Sequence, residues 1–297
     1  MRSPSRPVER AQPLLGTIVR MRVTGLEESR AHTVITDAFG IIADVHGLMS
    51  FHEIDSELSR LNRSAWREPV RVHAHTREVL TRALEIAALS EGLFDPTVAP
   101  MLVEGGRLPA PDGAAADPSA TWRDIRLHDD GTVTFAKPLW IDLGGIAKGY
   151  AVDCALAHIN ASNPTHACVE AGGDLRLSGE GAEHVYLAAP HPADSVPALK
   201  VENAAVASSG SQVGHASEGG STLLSPHVDT RSRTFCNTDR FVTVVAPHCI
   251  DADALTKVVM AAGAAARPVL ECYQAQAFMY ERATWTRIPD YSQFNLP

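Results

Sequence analysis

The chain has 297 residues, 45% hydrophobic and 21% charged, enough to bury a sizeable core in one large domain or two closely joined ones. A formal net charge of −9 without any long run of Lys or Arg argues against nucleic-acid binding, which needs a basic surface to displace counterions. It leaves room for a local basic pocket that holds a pyrophosphate. The five cysteines, Cys154, Cys168, Cys236, Cys249 and Cys272, are widely spaced and form no CxxC, so reduced thiols are expected rather than a disulfide framework or a zinc site.

In chain order, residues 1–13 are polar and expected to be disordered, with no apolar core of a signal peptide. No window approaches the ~20 apolar residues of a membrane span, so no transmembrane segment is expected and the chain reads as cytoplasmic. Thr17–Val23 alternates and reads as a strand. Arg30–Leu48 has apolar residues at helical spacing. In the polar stretch that follows, Ser56 is placed to cap a short helix with Glu57 in its first turn. His75–Ser90 is a second helix that Gly92 can end, and Glu104–Ala120, rich in Gly, Pro, Ala and Asp, reads as a loop. Strands are expected at Thr132–Phe135, Leu139–Asp142, Ala167–Val169, Leu175–Ser178, Val185–Ala189, Ala204–Ser208 and Phe241–Val245. Helices are expected at Ile146–Asn160 and Ala252–Ala262, and a last strand at Gln274–Tyr280. This interleaving without a regular βαβ period gives an α+β or mixed α/β class. It is not a Rossmann fold, because no GxGxxG follows a strand and no GxxxxGK[ST] occurs.

Five segments carry chemistry. Asp142 to Asp153 runs through the paired glycines Gly144-Gly145 into a helix whose start offers N–H groups to an anion, with Lys148 in the first turn to meet a phosphate. Taken alone, this reads as a tight turn with a solvated lysine. Ala171-Gly172-Gly173-Asp174 is a second paired glycine, read as a close approach to a ligand or as an ordinary hairpin turn. In Leu93-Phe94-Asp95-Pro96, the proline stiffens the backbone, and Asp95 either caps the turn or accepts from a ligand ring. At the start of the Ala252 helix, Asp253 and Thr256 share a face and can offer two oxygens to Mg²⁺; alternatively Asp251 or Asp253 simply caps that helix. His227 near Asp229 and Arg231 suggests a base and a phosphate clamp, or a solvated loop. Ser208-Ser209-Gly210-Ser211 lacks the pattern of a nucleophile elbow.

In order and identity these segments resemble the ApbE family of FAD:protein FMN transferases. The matching stretches are LGTIV at Leu15, DSELSRLN at Asp55, FDPTVAP at Phe94, IDLGGIAKGYAVD at Ile141, EAGGDLRLSG at Glu170, AVASSG at Ala205, and VTVVAP with ADAL from Val242. The resemblance implies one domain over residues 14–290, an ApbE-like, T-fold-like α+β fold of mixed sheets and packed helices, and an active site in a cleft between two lobes. It implies transfer of FMN from FAD to a Thr or Ser hydroxyl of an acceptor flavoprotein, with Mg²⁺ and release of AMP. Leu15, Leu93, Phe94, Asp95, Asp142, Lys148 and His227 would contact FAD. The Gly145 carbonyl, Asp253 and Thr256 would hold the metal, and His227 and Asp253 would serve catalysis. Family members are often exported.

Three positions depart from the family pattern. Lys257 stands where many members place a second hydroxyl ligand, four residues after the Asp. With Asp229 aligned to the family's HxxDPxTG, Pro226 falls at the usual His position and His227 lies one residue on. Glu170 replaces the common Asn before AGGD. Two alternatives to the transferase follow: a FAD-binding homologue without turnover, suggested by Lys257 and the displaced His227, and a pyrophosphatase that splits FAD into FMN and AMP with water as acceptor.

Overall fold

The structure, a computed structural model, describes residues 6–187, 198–210, 227–236 and 239–289. Its strands are β1 (Val8–Leu14), β2 (Thr17–Thr24), β3 (Val70–Arg71), β4 (Ile125–Leu127), β5 (Thr132–Phe135), β6 (His166–Ala171), β7 (Asp174–Gly179), β8 (Glu183–Tyr186), β9 (Ala198–Val201), β10 (Ala205–Gly210), β11 (Val228–Asp229), β12 (Thr234–Phe235), β13 (Phe241–Ala246), β14 (Gln276–Glu281) and β15 (Thr284–Ile288). Its α-helices are α1 (Glu28–Met49), α2 (Glu57–Ser64), α3 (Ala74–Leu89), α4 (Ala99–Glu104), α5 (Ala147–Asn160), α6 (Cys249–Ala262) and α7 (Arg267–Cys272).

Eight strands form one antiparallel sheet in the order β1-β2-β6-β7-β10-β13-β14-β15. The other described sheets are small: β3-β5-β4, β8-β9 and β11-β12. The large sheet has one face against helices. Along β2, Val19, Met21 and Val23 are buried while Arg20 and Arg22 point the other way; along β6, Ala167, Val169 and Ala171 are buried in the same manner. This period of two is what a sheet with one covered face requires. Helix α5 packs on β6 and β7 and lies between α1 and α6, and α6 packs on β10 and β13. Together these surfaces form one continuous apolar core. Three buried α5 residues, Val152, Leu156 and Ile159, would each contribute about 1.5–3 kcal/mol by burial, an upper bound for side chains taken fully from water.

Several expectations hold and several need correction. The helices at α1, α2, α3 and α5 are where the apolar spacing puts them, and Ser56 caps α2 by accepting from the Ser59 N–H. The N-terminal segment expected to be disordered through Pro13 instead supplies β1 from Val8. Its polar residues sit on an edge strand, and the two-residue turn Leu15-Gly16, with φ of 56° and 68°, closes a hairpin onto β2. Paired positive φ values of this kind match the right-handed twist of the strands. Leu139–Asp142 joins no ladder. Asn62 holds it, donating to the Ile141 carbonyl at 3.0 Å and accepting from the Ile141 N–H at 2.8 Å, while the Asp142 N–H donates to the Pro96 carbonyl at 2.8 Å. The expected last strand is followed by another, β15. The strand expected at Val185–Ala189 begins earlier, as β8, and residues 188 and 189 lie outside the described ones. Helix α6 starts three residues before Ala252, for a reason given below. Among the described residues, no helix is long and apolar enough to cross a membrane.

Candidate functional site

A cavity of about 400 Å³ lies where the turns of the large sheet meet the start of α5 and the middle of α6, a size typical of small-molecule sites. It is lined by Asp142, Gly144, Gly145 and Lys148 at the α5 start, Gly172 in the β6–β7 turn, Ser208, Ser209 and Gly210 at the end of β10, and Lys257 on α6. Leu93, Phe94, Asp95, Val98, Leu102, Arg107, Leu108, His227, Val228 and Thr230 complete the lining. The two paired-glycine turns and the acidic helix therefore converge, as the sequence pattern anticipated.

The local reasons are specific. Gly172 has φ 59°, and a Cβ there would lie 2.6 Å from the Thr17 hydroxyl oxygen, so only glycine lets the β6–β7 turn nest against β2. Gly149, in the first turn of α5, would place a Cβ 2.2 Å from the Cys249 carbonyl oxygen, so a side chain would separate α5 from α6. Asp95 accepts from the Thr97 N–H at 2.8 Å and its hydroxyl at 2.7 Å, which caps the Pro96–Val98 turn next to the buried Phe94. Burial raises the Asp95 carboxyl above its ordinary pKa despite those bonds. Asp142 accepts from the Gly144 N–H at 3.1 Å, and burial raises it in the same way.

Beneath the cavity lies a compact charge cluster. Lys148 pairs with Asp174, and Lys257 with Asp253; both carboxylates are about 1% exposed as side chains. The second oxygen of Asp253 accepts from the Gly149 N–H at 3.1 Å. Burial penalises both acids, with opposite results. Lys257 and Lys148 overcome the penalty at Asp253 and hold it below the ordinary carboxylate value, whereas burial and the neighbouring Asp253 push Asp174 up to about 6. Burial also opposes the charge on Lys148, but Asp253 and Asp174 outweigh it and raise that pKa. The start of α5 adds the partial positive charge of a helix N-terminus to the two ammonium groups. The wall is thus suited to an anion.

His227 lines the cavity, and its ring bonds the Gly210 backbone. Burial, then Lys257, lowers it to about 3, so the imidazole is neutral at physiological pH. Thr256 is fully buried: its hydroxyl donates to the Asp253 carbonyl at 2.7 Å and meets the Ser209 hydroxyl at 2.7 Å. Neither Asp253 nor Thr256 lines the cavity; Lys257 and Ser209 do. Leu15 is in the β1–β2 turn, outside the lining. Arg231, considered as a phosphate clamp, instead donates to the Ser90 carbonyl at 3.3 Å and lies 3.7 Å from Glu91. Glu170 points away from the helices and pairs with Arg20 at 3.1 Å, so this departure does not reach the site. Pro226 lies outside the described residues.

Asp251 and Asp253 do not cap their own helix. The first N–H groups of α6, from Cys249 and Ile250, donate to Asp153 of α5, both at 2.9 Å. This borrowed cap lets α6 start early. Asp251 faces Arg82 at 3.5 Å. Sequence reasoning missed Asp153 and Asp174 as partners, although both stand inside the quoted segments. It also missed the role of DSELSRLN, where Glu57 accepts from the His73 N–H and the Thr76 hydroxyl and Asn62 holds Ile141.

Comparison with known proteins gives a consistent picture. The ApbE family profile matches residues 15–279. The chain is 29% identical over 282 residues to a FAD:protein FMN transferase of Vibrio cholerae, covering 88% of this chain and 83% of that one. It is 30% identical over 236 residues to one of Chlamydia pneumoniae, covering 71% and 73%. Among solved structures, the flavin transferase ApbE from Vibrio cholerae superposes with a TM-score of 0.80 at 25% identity, over 98% of this chain and 100% of that one. The apo form of Pseudomonas stutzeri flavinyl transferase ApbE shares the fold, with a TM-score of 0.82 at 19% identity over 98% and 97%.

Proposed function

The chain belongs to the ApbE family, and we propose that it transfers the FMN half of FAD to a Thr or Ser hydroxyl of an acceptor flavoprotein, releasing AMP. The observation that carries this is the single cavity joining the α5 start, Lys148, Lys257, Gly172 and His227. An anion-holding wall and a neutral base line it together.

In this scheme the pyrophosphate of FAD lies on the α5 start between Lys148 and Lys257, and Phe94, Leu93 and Asp95 hold the rings at the rim. Asp142 keeps the Gly144-Gly145 turn in shape. The acceptor hydroxyl oxygen attacks the phosphorus on the riboflavin side. A new P–O ester bond forms and the anhydride P–O bond to the adenylate breaks, its electron pair leaving with AMP. His227 accepts the hydroxyl proton. Burial first, and the Lys257 charge second, keep the His227 ring neutral and able to accept that proton. Catalysis of this kind rests on positioning and charge.

The donor set expected for Mg²⁺ does not fit a cation as the side chains stand. The Gly145 carbonyl, Asp253 and Thr256 supply the right class of atom. However, both Asp253 oxygens and the Thr256 hydroxyl are already bonded within the protein, one of them to an ammonium. Among the described residues, no three His, Cys, Asp or Glu side chains are grouped to hold a metal.

The test is incubation of the full chain with FAD and an acceptor flavoprotein domain, with and without divalent cations. Intact-mass measurement should show the acceptor gaining one FMN and AMP appearing in equal amount. His227→Ala should lower the rate by about 10²-fold or more while FAD still binds. AMP and FMN released without acceptor would assign FAD hydrolysis instead. FAD binding with no product under any metal would leave a binding protein without turnover.

A further inference from the structure

Lys257 lies one helical turn after Asp253 on α6. Its ammonium donates to an Asp253 carboxylate oxygen and, at 3.0 Å, to the Asp253 carbonyl. Its Cε lies 3.3 Å from the position a Cβ would take on Gly145, so its stem lies across the glycine turn. The side chain is 22% exposed and forms part of the cavity wall. It therefore stands among the three groups, Gly145, Asp253 and Thr256, that the family resemblance would give to a divalent cation.

A cation at that locus would need Asp253 oxygens that are committed elsewhere. Oδ2 serves the Gly149 N–H and Oδ1 serves Lys257. It would also meet an ammonium held by the same carboxylate, and like charges at contact distance repel strongly in a site shielded from water. Asp174 cannot supply a second carboxylate, because it is paired with Lys148. An ammonium is a compact point charge with three donors. Two are spent on Asp253, which leaves one for a phosphate oxygen in the cavity.

We propose that the Lys257 ammonium takes the place of the divalent cation in this chain, clamping the FAD pyrophosphate against the α5 start so that binding needs no metal. This rests on the flavin assignment above. In the transfer step, with bonds made and broken as described there, Lys257 neutralises charge on the oxygen that departs with AMP.

The experiment is FAD titration of the full wild-type chain, followed by flavin fluorescence or calorimetry, in excess EDTA and in millimolar Mg²⁺. The same titrations are made on Lys257→Thr, which returns a hydroxyl to that position, and on Lys257→Met. Wild-type affinity should be the same in both media. Lys257→Thr should bind about tenfold or more weakly in EDTA and recover with Mg²⁺, and Lys257→Met should bind that much more weakly in both. A wild-type chain that loses tenfold or more in EDTA and regains it with Mg²⁺ overturns the proposal and leaves the flavin assignment standing. No FAD binding in either medium overturns both. The wild-type comparison holds even if a variant fails to fold.

Discussion

Helices α5 and α6 start side by side, and each start is served by an aspartate from the other helix, yet the two ends of this exchange differ. At one end, Asp153 of α5 accepts from the Cys249 and Ile250 N–H groups, and its remaining charge is met by Arg176 at 2.9 Å. Nothing at that end opens to the cavity. At the other, Asp253 of α6 accepts from the Gly149 N–H, and its remaining charge is met by Lys257, which does face the cavity. The same capping chemistry is closed in one place and turned toward a ligand in the other. Neither helix has a side-chain cap from its own N-cap residue, so each start relies on the other helix for its acceptor.

The sharpest way to break this comparison is at the closed end. Asp153→Ala removes a largely buried acid from Arg176 and leaves two helix N–H groups without their acceptor, which should cost about 4 kcal/mol in denaturant unfolding. The protein that remains folded should keep its FAD affinity. A variant of normal stability with weakened FAD binding would show that Asp153 belongs to the site.

Next in size is Gly149→Ala, at the contact between the two starts. The added methyl meets backbone at 2.2 Å, and overpacking outweighs the gain in helix propensity to leave a loss of about 2 kcal/mol. FAD affinity should fall with it, because the Gly149 N–H would no longer hold Asp253. A neutral outcome for melting would mean that the helices do not approach this closely.

The smallest effect concerns pH at the open end. Asp174 has its folded pKa raised from 3.8 to about 6, so the fold disfavours its charged form. That penalty is absent below the unfolded value and complete once pH has passed the folded one. Asp174→Asn keeps an acceptor oxygen for Lys148. Its melting temperature relative to wild type should therefore rise from about pH 4 to about pH 7. A difference that stays flat with pH would remove the coupled charge cluster from the description.

Much of the secondary structure was legible because apolar spacing reports which face of an element is buried; α1, α3 and β2 follow directly from it. Failures came where tertiary partners override local pattern. β1 is polar and would not hold alone, but the Leu15-Gly16 turn lays it against β2. Leu139–Asp142 has the composition of a strand, yet the Asn62 side chain, not another strand, takes the Ile141 backbone groups. The start of α6 was misplaced because its cap comes from a residue about a hundred positions earlier.

The sequence by itself determined the family, the alternation of the sheet and the segments that meet at the cavity, since spacing, glycine pairs and motif order are local properties. Only the tertiary structure decided which acid answers which base: Asp153 with α6, Asp174 with Lys148, and Asp253 with Lys257. Ion pairs and borrowed caps act over a few ångströms in space between residues far apart in the chain, and the order of residues along it carries no measure of that distance.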